Sequence, residues 1–205
     1  MDDLQISDCA QGSDEWLALR GGIPTASQFH TVLARGKGGG DSITRRKYMY
    51  TLAGQIITGE FVTAWEGNEH TERGKLLEAD AIAQYEFAHD IDTQTVGFLR
   101  RGRAGASPDR LVGDAGLVEV KTRLPHLQIE LLLSGEVPTE HKAQIQGELW
   151  VSGREWCDFV SYWPKLALFH KRVYRDEMYI CDLAKAVDVF NEELDALVQR
   201  LKAMT

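Results

Sequence analysis

The sequence predicts an α/β domain with a central mixed β-sheet flanked by helices. Three observations predict it. The apolar periodicities run in the order helices, three strands, one or two helices, two strands, helix. Residues 107–121 read as two short strands joined by the turn Gly113-Asp114-Ala115-Gly116. A helix at 138–151 separates the second of those strands from the next. A crossover of that kind makes a parallel pair and puts helices on both faces of the sheet. The chain of 205 residues is expected to be one domain over 1–205, with a helical region at about 13–60 and a last helix at about 177–203.

The elements follow in order. Residues 13–20 read as a short helix with Ser13 as N-cap, acidic residues in its first turn and Gly21-Gly22 at its end. A second helical stretch begins at Thr25-Ala26-Ser27 and runs to Leu33. Its first amides would be free for an anion, and Arg20 and Ser27 flank that position. A capping hydroxyl beside a surface arginine explains the same residues. The glycine-rich run at 35–41 is a loop and lacks the Gly-Lys-Ser/Thr of a P-loop. A helix from Ser42 or Thr44 runs to about Thr58 and ends at Gly59.

Residues 68–89 read as a long helix with Leu77, Ala81 and Tyr85 on one apolar stripe. Glu78 adjoins the stripe, and a carboxylate turned toward a core needs a partner or a metal; a helix-rim glutamate is the alternative. Gly74 marks a close approach of backbone or DNA, or is simply tolerated at about 1 kcal/mol. Residues 92–99 are expected to be a strand, and 104–107 lead into the hairpin. Helices follow at 125–133 and 138–151, the second placing His141, Gln144, Glu148 and Val151 near one face. Strands are expected at 156–163 and 168–174. The last helix carries Val187, Leu194, Leu197 and Leu201 as its stripe.

Composition excludes several classes. No run of eighteen apolar residues exists, so no membrane span is expected. The start, Met1-Asp2-Asp3-Leu4, has neither the basic nor the apolar part of a signal peptide. Cys9, Cys157 and Cys181 show no zinc spacing or disulfide pattern and are expected to be buried in a reducing cytoplasm. The net charge of −8 argues against a protein that coats nucleic acid indiscriminately. Arg45-Arg46-Lys47 and Arg100-Arg101-Gly102-Arg103 are basic clusters, each read alone as solvated surface.

The chemistry converges on the hairpin. In Leu117-Val118-Glu119-Val120-Lys121 alternate residues face opposite sides, so Glu119 and Lys121 point one way and the valines the other. The hairpin can bring Asp109 beside Glu119. Two carboxylates of this kind hold a hard cation such as magnesium, which keeps several waters for chemistry, and the lysine can orient or activate one of them. Taken alone, Val-Glu-Val-Lys is also an ordinary half-exposed strand.

Four separated segments, in order, resemble the lambda-exonuclease-like, or YqaJ-type, viral recombinases. They are Trp16–Ser27, Arg73-Gly74-Lys75-Leu76-Leu77-Glu78, Ser107-Pro108-Asp109 with Glu119-Val120-Lys121, and Ala143-Gln144-Ile145-Gln146 followed by Trp150. The third looks like a PD-(D/E)XK core. The resemblance implies a restriction-endonuclease-like fold and a magnesium-dependent 5′→3′ exonuclease. That enzyme digests double-stranded DNA from its ends, releases 5′-mononucleotides and leaves 3′ strands for annealing. It further implies a ring-shaped homotrimer, a single-strand annealing protein as partner, and a phage or prophage gene acting in the bacterial cytoplasm. By the same resemblance Asp109, Glu119 and Val120 are metal ligands and Lys121 activates water. Glu78 assists, Gln144 positions water or lysine, and Arg20 and Ser27 hold the terminal 5′-phosphate. Manganese would substitute, and calcium would bind without supporting turnover. Two positions depart from the pattern: Pro24 replaces an aliphatic residue, and Arg110 replaces a small one. An endonuclease or nickase with the same site, or an inactive DNA-end-binding recombination protein, are the alternatives.

Overall fold

The computed structural model describes residues 4–36, 38, 42–61 and 69–204. The expected helix start at Asn68 and part of the glycine loop, including Gly39, Gly40 and Asp41, lie outside them. The helical half contains α1 (Asp14–Arg20), a 3₁₀ turn (Ala26–Gln28), α2 (Phe29–Val32), α3 (Ile43–Thr58) and α4 (Glu69–His89). Its ends follow local chemistry. Ser13 Oγ accepts from Trp16 N at the start of α1, and Ser42 Oγ accepts from Arg45 N at the start of α3.

The strands form two ladders. β1 (Leu4–Ser7), β2 (Phe98–Arg101) and β3 (Ala104–Ala106) are antiparallel in that order. β4 (Arg110–Val112), β5 (Gly116–Thr122), β6 (Trp156–Tyr162) and β7 (Phe169–Tyr174) form a mixed sheet whose parallel pair is β5–β6. α5 (Pro125–Ser134) and α6 (Lys142–Ser152) make the crossover, and α7 (Glu177–Lys202) closes the domain. This is the α/β arrangement that the periodicities predict.

Some of the expectations need correction, and one strand was not expected. The strand expected at 92–99 is shifted to β2. Ahead of it Gln94 makes an isolated bridge, exchanging both main-chain hydrogen bonds with Leu111 at 2.8 Å. β1 has no counterpart in the reading above: four residues, of which Gln5 and Ile6 are exposed, carry no alternation to detect. Of the cysteines only Cys157 is buried; Cys9 is half-buried and Cys181 exposed.

β5 is covered on both sides, and its alternation decides what each side receives. Val118 and Val120 pack with Leu77, Ala81, Ile82 and Tyr85 of α4. Leu117 lies in the larger core with Phe159, Leu149 and the Ile180, Leu183, Val187, Phe190, Leu194 and Val198 stripe of α7. Leu201, expected on that stripe, is exposed. Gly74 is not demanded by packing, because an added Cβ would meet only Thr122 Oγ1 at 3.9 Å. The basic clusters are partly structural: Arg45 pairs with Glu193 at 2.6 Å, Arg103 with Asp195, and Arg101 Nε donates to Val151 O at 2.9 Å.

One buried charge ties the sheet together. Asp158, 1 % exposed, accepts two bonds of 2.8 Å from Arg172 across the β6–β7 register and one of 2.6 Å from Tyr85. His170 Nε2 stands 3.1 Å away but outside hydrogen-bonding geometry. Burial alone would raise the Asp158 pKa; the Arg172, His170 and Tyr85 partners outweigh it and hold the carboxyl well below its usual range. Asp158→Ala is expected to cost about 3 kcal/mol, the low end for breaking a buried pair because Arg172 is partly solvated. The pKa is depressed in the folded state, so the stabilisation is complete above the unfolded value of about 3.9 and is lost as pH falls toward the folded value. Urea unfolding of both proteins at neutral pH and across the acid range reads this.

Candidate active site

The hairpin builds the site. Arg110 pairs with Val118 and Val112 with Gly116. Gly113, at φ +48°, takes the left-handed turn that such a tight reversal needs. One residue before this ladder, Asp109 continues it with its side chain: Oδ2 accepts from Val120 N at 2.6 Å. That bond fixes one carboxylate against the strand that carries the other.

On the face of β5 opposite Val118 and Val120, Glu119 and Lys121 lie side by side as alternation requires. Lys121 Nζ donates to Glu119 Oε1, and Gln144 Nε2 of α6 donates to the same oxygen at 2.6 Å. Gln144 also donates to Glu148 Oε1, four residues on, at 2.9 Å. Glu119 and Glu148 are 2 % and 1 % exposed, and the Oε2 of each is buried with no hydrogen-bond partner. Unsatisfied buried carboxylate oxygens are costly unless something fills the place.

The charges are crowded. Burial first, then the charges of Glu119 and Glu78, push the Asp109 carboxyl well above its usual range, against the pull of Lys121 and the Val120 N–H. Burial and Glu119 push Glu148 up in the same way. Burial alone would lower the Lys121 pKa, but Glu119, Asp109 and Glu148 outweigh it and hold the ammonium above its ordinary value. His141 moves the other way: burial, Lys121 and Arg123 lower it to about 4, so it is neutral at physiological pH.

The residues fit a hard divalent cation. The donors are oxygen alone, Glu119 Oε2 lacks a partner, and the like charges of Asp109 and Glu119 oppose each other. Valine can add only its main-chain carbonyl. Among the described residues no three His, Cys, Asp or Glu side chains stand close enough to cage a metal. Magnesium does not require a cage, since it is commonly held by one or two carboxylates and retains waters. Glu78 lines a cleft of about 520 Å³ together with Asp109 and Arg110.

Arg20 is tied to the segment that leads into this centre. Its guanidinium lies 4.0 Å from the centroid of the Trp16 ring and donates to Ser107 Oγ at 3.3 Å and Thr25 Oγ1 at 3.4 Å. Ser27 Oγ is 3.5 Å from Thr25 Oγ1, so Arg20 and Ser27 are linked through Thr25. Burial lowers the Arg20 pKa. A cavity of about 270 Å³ opens here, lined by Arg20, Thr25, Gln28 and Tyr48 among others. The helix expected at Thr25 is only the 3₁₀ turn and the four residues of α2. Its dipole is small, and Thr25 N is taken by Tyr48 Oη at 3.2 Å. Anion binding here falls to side chains.

The structure thus brings Asp109, Glu119, Val120, Lys121 and Gln144 together, with Glu78 in the adjoining cleft and Arg20 bonded to Ser107, two positions before Asp109. Sequence reasoning gave no role to Ser107, Thr25 or Tyr48, whose meeting depends on contacts across 23 to 87 positions. It placed Glu148 on the right helix face without a role; the spacing from Gln144 was the available signal.

The YqaJ-like viral recombinase domain matches residues 15–155. Among solved structures, the chain is similar to the alkaline exonuclease LHK-Exo from Laribacter hongkongensis, with 34% identity and a TM-score of 0.83 over 94% of this chain and 97% of that one. The same protein in complex with dAMP gives 34% identity, a TM-score of 0.84 and the same coverage. A phage related exonuclease from Haemophilus somnus 129PT shares the fold at 16% identity and a TM-score of 0.64, over 87% of this chain and 96% of that one. No curated sequence matches. With the family's domain matched across most of its length, this chain belongs to the YqaJ-like viral recombinases.

Proposed function

We propose that the protein is a magnesium-dependent 5′→3′ exonuclease that digests double-stranded DNA from its ends and releases 5′-mononucleotides. The observation that carries this reading is the short segment Ser107-Pro108-Asp109. Its first residue contacts Arg20 and its last faces the strand of Glu119 and Lys121. A phosphate held by Arg20 would therefore sit at a fixed distance from a metal held by Asp109, Glu119 and the Val120 carbonyl. The similarity to an alkaline exonuclease, and to that protein with a deoxynucleoside monophosphate bound, supports the same reading.

Each residue has work that its geometry suits. The cation, when bound, stabilises charge on the phosphate and lowers the pKa of a water; manganese substitutes, and calcium binds without turnover. Lys121, held protonated, donates to the water or to a phosphate oxygen. Gln144 fixes the orientation of Glu119, and Glu78 adds charge at the rim. Arg20 and Ser27 hold the terminal 5′-phosphate, so each cleavage creates the group that is held next. In this reading the protein acts as a ring-shaped homotrimer in the bacterial cytoplasm and leaves 3′ strands for an annealing protein. A ring keeps an acidic protein on DNA without a large electrostatic footprint. Among the described residues no helix is long and apolar enough to cross a membrane.

The test compares a linear blunt duplex with a covalently closed circle, with and without magnesium. Nucleotide is expected from the linear duplex alone, and only with the metal. Cleavage of the circle would assign an endonuclease, and a folded protein that cuts neither would assign an inactive end-binding protein.

A further inference from the structure

Arg110 occupies a position where the resemblance leads one to expect a small residue, and no role above accounts for it. The hairpin places it directly after Asp109, opposite Val118. Its Nη1 donates to the Asp109 main-chain oxygen at 2.7 Å, which folds the guanidinium back beside that turn. The side chain lines the cleft of about 520 Å³ that also receives Asp8, Glu78 and Asp109, and among the described residues lining it Arg110 is the one cation.

A DNA strand approaching through this cleft brings phosphates toward three carboxylates. A metal held by Asp109 and Glu119 would offset part of that repulsion at one phosphate, with Asp8 still lining the cleft. A guanidinium carries five N–H donors in a rigid fork that matches phosphate oxygens. With one of them anchored on the Asp109 carbonyl, the others are held near the cleft at little further entropic cost. We infer that Arg110 is a substrate-binding residue that holds a nonbridging oxygen of a phosphate in the strand being cut, and so sets how that strand lies over Asp109. The inference rests on the nuclease reading and adds a contact to it. A purely structural Arg110, needed only to satisfy one carbonyl, would be replaced by any donor of similar reach.

The test measures digestion and equilibrium binding of a 5′-phosphorylated blunt duplex by wild type, Arg110→Gln and Arg110→Lys. Binding is read in calcium at several salt concentrations. Arg110→Gln is expected to raise KM about tenfold with kcat within about twofold of wild type. It should also make the dependence of log affinity on log salt shallower by about one unit, the mark of one lost phosphate contact. Arg110→Lys keeps the charge and should keep the salt dependence, recovering part of KM. An unchanged KM and salt slope in Arg110→Gln would overturn the inference. So would an equal loss of kcat in both variants at unchanged KM, which would mean a damaged Asp109 turn. A wild type that neither binds nor digests the duplex would instead overturn the nuclease reading itself.

Discussion

Glu119→Ala is expected to remove cleavage by about a thousandfold or more while leaving the protein folded. The carboxylate is the meeting point of the site: Lys121 and Gln144 both donate to its Oε1, and its Oε2 is buried without a partner. A bound cation supplies several kcal/mol of transition-state stabilisation, and each 1.36 kcal/mol is tenfold in rate. On the proposed reading, in which Glu119 holds the cation, its removal forfeits most of that. Asp109→Ala should match it, because its carboxylate faces the same strand and the Val120 N–H would lose its acceptor. Lys121→Ala removes a donor held charged beside Glu119 and should be nearly as severe. The fold should survive in Glu119→Ala, since the substitution removes a crowded buried charge and relieves Asp109. Nucleotide release, read beside a thermal unfolding curve for each variant, checks this; a folded Glu119→Ala protein with ordinary turnover would dismantle the assignment.

Arg20→Ala is expected to abolish discrimination between 5′-phosphate and 5′-hydroxyl ends, at a cost of about 2–4 kcal/mol for two or three charge-assisted contacts. The side chain is already held toward Ser107 and Thr25 and stacked on Trp16, so little ordering remains when a phosphate arrives. Because the guanidinium is largely buried, part of any loss in Arg20→Ala is packing. Arg20→Lys separates the two effects: it keeps the charge and most of the stem but not the planar fork, and should retain some preference for phosphate. Matched duplexes differing only at the 5′ end give the measurement. Equal rates on both ends by wild type, or an undiminished preference in Arg20→Ala, would return Arg20 to a structural role.

Much of this was legible because strand chemistry repeats every two residues. Val118 and Val120 against α4, and Glu119 beside Lys121 on the other face, follow from alternation alone. The turn at Gly113 likewise announced that Asp109 would fold back toward Glu119. Helix ends were readable where a local cap exists, as at Ser13, Ser42 and Gly59. What was not legible depends on distant partners. β1 is a strand only because β2 lies beside it, and the partnership of Asp158 with Arg172 needs the β6–β7 register. The setting of Arg20 needs Tyr48 from α3, which lines its pocket, and Ser107 just ahead of the hairpin, neither of which has a local signal. Glu148 lies between: its spacing from Gln144 was visible, but its burial behind Glu119 was not.

The most direct measurement follows the linear duplex from a single 5′ label during digestion with magnesium. A 5′→3′ exonuclease built on Asp109, Glu119 and Arg20 releases that label at the earliest times as a mononucleotide, while a 3′ label stays in long strands. Early appearance of the 5′ label in oligonucleotides, or release of the 3′ label first, would contradict it.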